Sequence, residues 1–388
     1  MRKICVVVHS RANYGRIKST MQAIKDHPDL ELQLIVGASA LLRRFGAVIN
    51  IMREDGFTED AVVHSVLEGE APIIMAKSTG LAIIELATHF ENLKPDIVLT
   101  VADRYETLST AVAASYMNIP VAHTQGGEVT GSIDEAVRHS ITKLSHIHFP
   151  ATERARDYVV RMGEDPAKVF FTGCPAIDLV AGLDVTLPAD IFQRYGGVGS
   201  GLSVDKDYIV VLQHPVTTEF GSGLEQINET LSAVYELAKE GMQVAWLWPN
   251  VDAGSDDISK GIRAFRENNE TPNMHFFLNF EPEDYARLIA NAKCIIGNSS
   301  SGLREGAFLG IPCVNVGTRQ EGRERASNVM DSDYDSTQIL EATRKQIAHG
   351  KYECDTLVGD GTAGLKMAEI LTTVPLGVQK KIHYIYDE

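Results

Sequence analysis

Short apolar runs alternate with longer amphipathic stretches along most of the chain. Residues 4–8, 32–36, 97–101, 121–123 and 169–172 are mostly apolar, with apolar residues on both faces, which predicts parallel strands buried on both faces. Between them, 16–25, 79–92, 105–117, 133–144 and 153–162 carry helical periodicity. The alternation breaks after Asp178. Residues 183–207, with the run Gly196-Gly197-Val198-Gly199-Ser200-Gly201, read as linker and surface loop. It restarts with strands at 208–212, 244–247, 275–278, 293–296 and 313–316, and helices near 224–240, 256–268, 283–290 and 303–309. Strand–helix alternation of this kind predicts an α/β protein with two Rossmann-like domains and a cleft between them, the first over 1–182 and the second over 183–362.

Composition narrows the partners. The 388 residues hold 44% apolar and 23% charged residues, ordinary for a globular chain. Lys plus Arg number 36 against 52 Asp plus Glu, a formal net charge of −16. That balance argues against nucleic acid and against an anionic membrane surface, while leaving room for a local basic pocket around one small phosphate ligand. No apolar run of about 18 residues is visible, and the apolar stretch 4–8 is too short for a signal-peptide core. The five scattered cysteines, Cys5, Cys174, Cys294, Cys313 and Cys354, read as reduced thiols of a cytoplasmic protein.

Open α/β sheets bind ligands beyond the carboxyl ends of their strands, and the polar residues of interest lie there. His9-Ser10-Arg11 leads from the first strand into a helix, with Arg11 available to a phosphate or ribose. Asp103-Arg104 follows the strand 97–101 and reads either as an internal ion pair or as a carboxylate beside a phosphate-binding Arg. The loop Gln125-Gly126-Gly127-Glu128-Val129-Thr130-Gly131 places Glu128 near Asp134, with Ser132 as N-cap of the next helix. Several acids near one another suit proton chemistry at a sugar carbon; helix-dipole complementarity alone accounts for Glu135. In the second half, His214 precedes Pro215 at a strand end. Asn298-Ser299-Ser300-Ser301 has more hydroxyls than capping needs and reads as a phosphate cradle, with Glu305 a turn further and Arg319 after the next strand. No metal site is expected, because no cysteine pair has zinc spacing. With neither a Walker A sequence nor Gly-x-Gly-x-x-Gly after the first strand, no nucleotide cofactor is expected either.

Asp103-Arg104, Gly126-Gly127-Glu128-Val129-Thr130-Gly131, the stretch Arg138 to His146, Gln213-His214-Pro215-Val216-Thr217-Thr218, the segment from Pro249 through Asn250 to Ser255, Gly297-Asn298-Ser299-Ser300 and Gly317-Thr318-Arg319-Gln320 together resemble the hydrolysing UDP-N-acetylglucosamine 2-epimerases. The resemblance covers nearly the whole chain. It implies the B-type glycosyltransferase architecture, with the C-terminal segment, about 363–388, crossing back to the first domain. It also implies a UDP-sugar substrate with its diphosphate at Ser299, Ser300 and Arg319 and its ribose at Glu305. Arg11, Arg104, Gln125, His214 and Asn250 would complete the binding set. Asp103, Glu128 and Asp134, with His214, are the residues it marks for catalysis: C2 deprotonation with loss of UDP, then hydration to a free 2-epimer that opens sialic-acid synthesis. A homodimer or homotetramer with water as co-substrate follows from the same resemblance. The chain departs from the family at Gln125, where many members carry a carboxylate, and at Asn13 and Gly15 in the first loop. A UDP-2,4-diacetamido-2,4,6-trideoxyglucose substrate, and a glycosyltransferase on the same fold, are the alternative readings.

Overall fold

A computed structural model describes residues 1–43, 46–68, 72–130, 133–216, 219, 221–249 and 254–383. The chain divides into two compact units, one of Met1–Glu128, Ile133–Ala181 and Val358–Glu388, the other of Val129–Ser132 and Gly182–Leu357.

The first unit is built on six strands: β1 (Arg2–Val8), β2 (Leu30–Gly37), β3 (Ala61–Val63), β4 (Ile97–Val101), β5 (Val121–Thr124) and β6 (Ile147–Phe149). They are all parallel, in the order β3-β2-β1-β4-β5-β6. Residues of β1 alternate between two cores. Ile4, Val6 and Val8 pack with Met21, Ile24, Met367 and Leu371, whereas Cys5 and Val7 face Leu86, Phe90, Ala111 and Ala114. Helices cover both faces, and this is why the strand reads as an unbroken apolar run. The C-terminal helix Ala363–Thr373 belongs to the first of these cores. Asp178 accepts hydrogen bonds from the N–H groups of Ala363 (3.0 Å) and Gly364 (2.7 Å), as well as from the Ser19 hydroxyl (2.9 Å). A side chain at Gly364 would meet the Ser19 carbonyl carbon at 2.7 Å, so glycine permits this helix crossing.

The second unit repeats the topology. Its strands are β7 (Val198–Gly199), β8 (Tyr208–Leu212), β9 (Gln243–Leu247), β10 (Met274–Phe277), β11 (Ile295–Gly297), β12 (Cys313–Val316) and β13 (Val329–Ser332), ordered β13-β12-β11-β8-β9-β10-β7. Without the edge strand β7, which is antiparallel to β10, this is the same parallel order as in the first unit.

Local departures from the sequence expectation have physical causes. Residues 169–172 form no strand. A single bridge joins Val169 to His148, because Pro150 after β6 has no N–H to extend a ladder. The glycine-rich stretch is not all loop, since Val198–Gly199 lies against β10. Side chains at Gly197 and Gly199 would come within 2.4 and 2.3 Å of the carbonyl oxygens of Phe276 and Met274. The expected helix 303–309 is broken at Arg304 into Ser300–Leu303 and Glu305–Leu309. By length and composition, Ile73–Leu93 is an exception to the absence of long apolar segments. Its Ala82, Leu86 and Phe90 are buried in the core of the first unit.

Glu164 is buried and accepts from His148 Nε2 (3.0 Å), Lys143 Nζ (2.6 Å) and Lys380 Nζ (2.6 Å). Burial opposes its ionisation, yet these donors outweigh it and hold the carboxyl down at about 2. A carboxyl depressed in the fold stabilises it above the unfolded value of 4.5 and loses that contribution as pH falls towards 2. Thermal unfolding is therefore expected to show Tm falling steeply across that window, with a shallower fall in Glu164→Gln. Parallel profiles for the two proteins would contradict the assignment.

Candidate functional site

In each sheet the strand order reverses once, between β1 and β4 in the first unit and between β8 and β11 in the second. The loops leaving those strand pairs diverge, which opens a crevice at the switch point. The second unit shows this most clearly. Gly297 ends β11 at φ +126, and a side chain there would lie 2.1 Å from the Leu212 carbonyl oxygen, so only glycine lets the two backbones approach. Asn298 follows, fully buried. Its Oδ1 accepts from the His214 N–H (2.7 Å), and its Nδ2 donates to the His214 carbonyl (2.8 Å). The main-chain oxygen of Asn298 then accepts from Arg319 Nη1 (3.0 Å) and Gln320 Nε2 (2.7 Å). One residue thus joins the loops after β8, β11 and β12.

Ser299 caps the short helix Ser300–Leu303, accepting from the Ser301 N–H (3.3 Å). The hydroxyls of Ser299 and Ser301 lie 2.9 Å apart, and that of Ser301 is 2.6 Å from Tyr285 Oη. Because the helix stops after four residues, its dipole is small. The anion-binding capacity here comes from hydroxyls, N–H groups and the half-buried guanidinium of Arg319. Glu305, half-buried, opens the next short helix. Burial, with Arg319 adding to it, pushes the His214 imidazole well below its ordinary range, so the ring is neutral at neutral pH. Glu219 accepts from the Thr318 hydroxyl and from Gln226 Nε2 (2.5 Å), which fixes the loop carrying Arg319. Asn250, Ser132, Thr217 and Thr218, singled out in the sequence, lie outside the described residues.

The first unit closes its switch point with another asparagine. Asn13 accepts from the His9 N–H (3.3 Å) and donates to the Val101 carbonyl (3.4 Å). It sits in the helix Arg11–Gly15, capped by Ser10, so Arg11 starts that helix directly after β1. Beyond β4, Ala102 at φ +63 turns the chain. The Asp103 carboxylate pairs with Arg138, which is 1% exposed and also donates to the Glu128 carbonyl (2.7 Å). Arg138 lies one helical turn after Asp134 in Ile133–Leu144. The acids read from sequence thus have a shared reference: Asp103 and the Glu128 backbone on Arg138, and Asp134 on the same helix. Arg104 donates to the buried Glu106 (3.2 and 3.4 Å).

Gln125 is placed otherwise. It sits at φ +62 after β5, 2% exposed, with its Nε2 on Cys174 Sγ (3.2 Å) and its Oε1 accepting from Arg16 Nη1 (3.3 Å). Its side-chain partners are Arg16 and Cys174, and none of the acids is among them. Arg138, Asn13 and Arg16 were not among the expected site residues, and Asn298 was expected only as part of the phosphate-binding loop. The i, i+4 spacing of Asp134 and Arg138 was the available sequence signal for one of them. Among the described residues, no three His, Cys, Asp or Glu side chains gather as a metal-ligand set.

Comparison with known proteins bears on the family and the fold. A family model described as UDP-N-acetylglucosamine 2-epimerase matches residues 22–372. A UDP-N,N'-diacetylbacillosamine 2-epimerase (hydrolyzing) from Legionella pneumophila is 33% identical over 98% of both chains. A UDP-N-acetylglucosamine 2-epimerase from Neisseria meningitidis is 29% identical over 96% of this chain and 95% of its own. The crystal structure of UDP-GlcNAc 2-epimerase from N. meningitidis bound to UDP-GlcNAc shares the fold, with a TM-score of 0.78 at 19% identity over 95% of this chain and 99% of that one.

Removing the Asn298 side chain strands the buried N–H and C=O of His214. At about 1–3 kcal/mol for each of the two stranded groups, Asn298→Ala is expected to lower unfolding free energy by about 2–6 kcal/mol in urea denaturation. The half-exposed Ser300→Ala is expected to stay within about 0.5 kcal/mol of the parent. Equal effects from the two would remove Asn298 from its central place.

Proposed function

The chain belongs to the UDP-N-acetylglucosamine 2-epimerase family, and on that premise we propose that it is a hydrolysing 2-epimerase of a UDP-2-acetamido sugar. The substrate put first is UDP-N-acetylglucosamine, converted with water to N-acetylmannosamine and UDP. The observation that carries the reading is the Asp103 carboxylate and the Glu128 main-chain carbonyl meeting on Arg138, one turn from Asp134. The chemistry asks for more than one proton-transfer group, since inversion removes a proton from one face of C2 and returns one to the other.

The second unit takes the nucleotide. Ser299, Ser300 and Arg319 bind the diphosphate, Glu305 accepts from the ribose hydroxyls, and the neutral His214 donates its ring N–H to a phosphate oxygen. In the first step a carboxylate takes the C2 proton while the C1–O bond breaks, and its electron pair leaves with UDP. The product of that step is a 2-acetamidoglucal. The departing diphosphate is stabilised by Arg319, so leaving-group departure lowers the barrier to removing a weakly acidic proton. Water then adds its oxygen to C1 and gives one proton to a carboxylate, as a second acid delivers a proton to the opposite face of C2. Asp103, Glu128 and Asp134 perform these transfers. Gln125 takes no part in them, because an amide does not exchange a proton at neutral pH and its side chain is buried on Cys174 and Arg16.

A second substrate has a specific observation in its favour. The L. pneumophila relative at 33% identity is named for UDP-N,N'-diacetylbacillosamine, so the diacetamido-trideoxy sugar is the alternative within the same reaction. Proton and phosphorus NMR of the purified chain with each UDP-sugar separates them. The expected outcome is free 2-epimer and UDP in equal amounts from one of the two. Epimer still linked to UDP would exclude hydrolysis, and no turnover of either would exclude the reaction. Asp103→Asn is expected to lower kcat by about 100-fold or more with UDP affinity retained. Arg319→Ala is expected to weaken UDP binding by about 10-fold or more. The opposite pattern in calorimetry and kinetics would reverse these assignments.

A further inference from the structure

Beyond the helix Ala363–Thr373, residues 374–383 have no regular secondary structure, yet the first unit holds them at several points. Lys168 Nζ donates to the Pro375 carbonyl (2.6 Å), His146 Nε2 lies 3.3 Å from the Val378 carbonyl, and the His383 N–H donates to the Gly163 carbonyl (2.9 Å). Lys380 is the deepest anchor. Its ammonium reaches the carbonyls of Thr142 (3.1 Å), Lys143 (2.8 Å) and Ser145 (2.5 Å), and Glu164 Oε2 at 2.6 Å. The last carbonyls of a helix have no partner within it, and a cation there also suits the negative end of its dipole. Lys380 therefore caps Ile133–Leu144, from more than two hundred residues away in sequence.

The helix it caps is the one that bears Asp134 and Arg138. From the cap, contacts run inward. The Thr142 hydroxyl donates to the Arg138 carbonyl (3.0 Å) and lies 3.4 Å from His123 Nδ1, while His123 Nε2 is 2.8 Å from the carbonyl of Ala102, the residue before Asp103. We propose that Lys380 is a positioning residue for catalysis: by clamping the C-terminal end of Ile133–Leu144, the segment 375–383 holds Asp134 and Arg138 in register with Asp103. This rests on the catalytic reading above. Glu164, ionised and buried, fixes the ammonium from the other side, so the clamp is a charge-paired contact rather than a loose surface lysine.

The test compares Lys380→Met, Lys380→Arg and Lys168→Met in the full chain, with the UDP-sugar that the wild type consumes. Lys380→Met is expected to lower kcat by about 10-fold with KM and UDP affinity within about 2-fold, and Lys380→Arg to recover most of the loss. Lys168→Met, which frees another tail anchor, is expected to keep kcat within about 2-fold. Lys380→Met retaining more than about half of kcat, or Lys168→Met losing as much, overturns the proposal. If Lys380→Met does not fold, Lys380→Gln replaces it under the same criteria. Amide hydrogen exchange is read in parallel and does not depend on activity. In Lys380→Met, residues 133–139 are expected to exchange about 10-fold faster, with β8 and β11 unchanged. Faster exchange confined to 140–144 is simple fraying and also overturns the proposal. A wild type inactive on both sugars defeats the catalytic reading, and exchange alone then decides whether the clamp exists.

Discussion

The amide of Asn298 closes the point at which the second sheet reverses its strand order, and the candidate nucleotide site is organised around it. Parallel sheets of this kind leave a gap there, because the loops on either side run to opposite faces. Asn298 fills that gap with a reciprocal pair of hydrogen bonds to His214 and passes its own carbonyl to Arg319 and Gln320. Ser299 and Ser300 begin immediately after it. The backbone approach that makes this possible depends on Gly297, which cannot carry a side chain against Leu212. Each group proposed to meet the diphosphate is therefore referenced to one buried residue, and preorganisation of that kind reduces the ordering cost of binding.

The first unit answers the same topological gap with Asn13, joining His9 to the end of β4. Its chemistry is organised by a charge instead. Arg138 is almost wholly buried and needs an ionised partner, which Asp103 supplies. An arginine in that place orients one carboxylate, fixes the backbone of Glu128 and sits on the helix of Asp134. Two units with the same strand order thus divide the labour proposed here, a buried amide organising the nucleotide loops and a buried charge pair organising the acids. Gln125 belongs to neither set. Its left-handed backbone and its partners Arg16 and Cys174 make it part of the packing beneath the loop, which is why proton transfer is proposed for the three acids instead.

Much of this was legible in the sequence. The strands buried on both faces announce themselves as apolar runs, and strand-end loops are where α/β folds keep polar function. What escaped was short or depended on distant partners. β3 and β13 are brief edge strands, and β7 exists only because glycines let the backbone press against β10. The break at Arg304 is a backbone event inside an apparently helical run. Asn298 was visible as part of a serine-rich loop, but its role depends on His214, 84 residues away. Lys380 is an ordinary lysine in a polar tail until the fold sets it against Thr142 and Glu164. Single-sequence patterns report local periodicity and composition; buried polar hubs are made by tertiary contact, and no local pattern encodes them.

The central claim is that C2 of the sugar loses its proton and regains one from a different group as UDP departs. Running the reaction in deuterated water and reading the free sugar by proton NMR tests it most directly. The account predicts a free 2-epimer carrying deuterium at C2, released together with UDP. A free 2-epimer that keeps its original C2 proton would contradict it, because inversion would then have occurred without the deprotonation proposed for Asp103, Glu128 and Asp134.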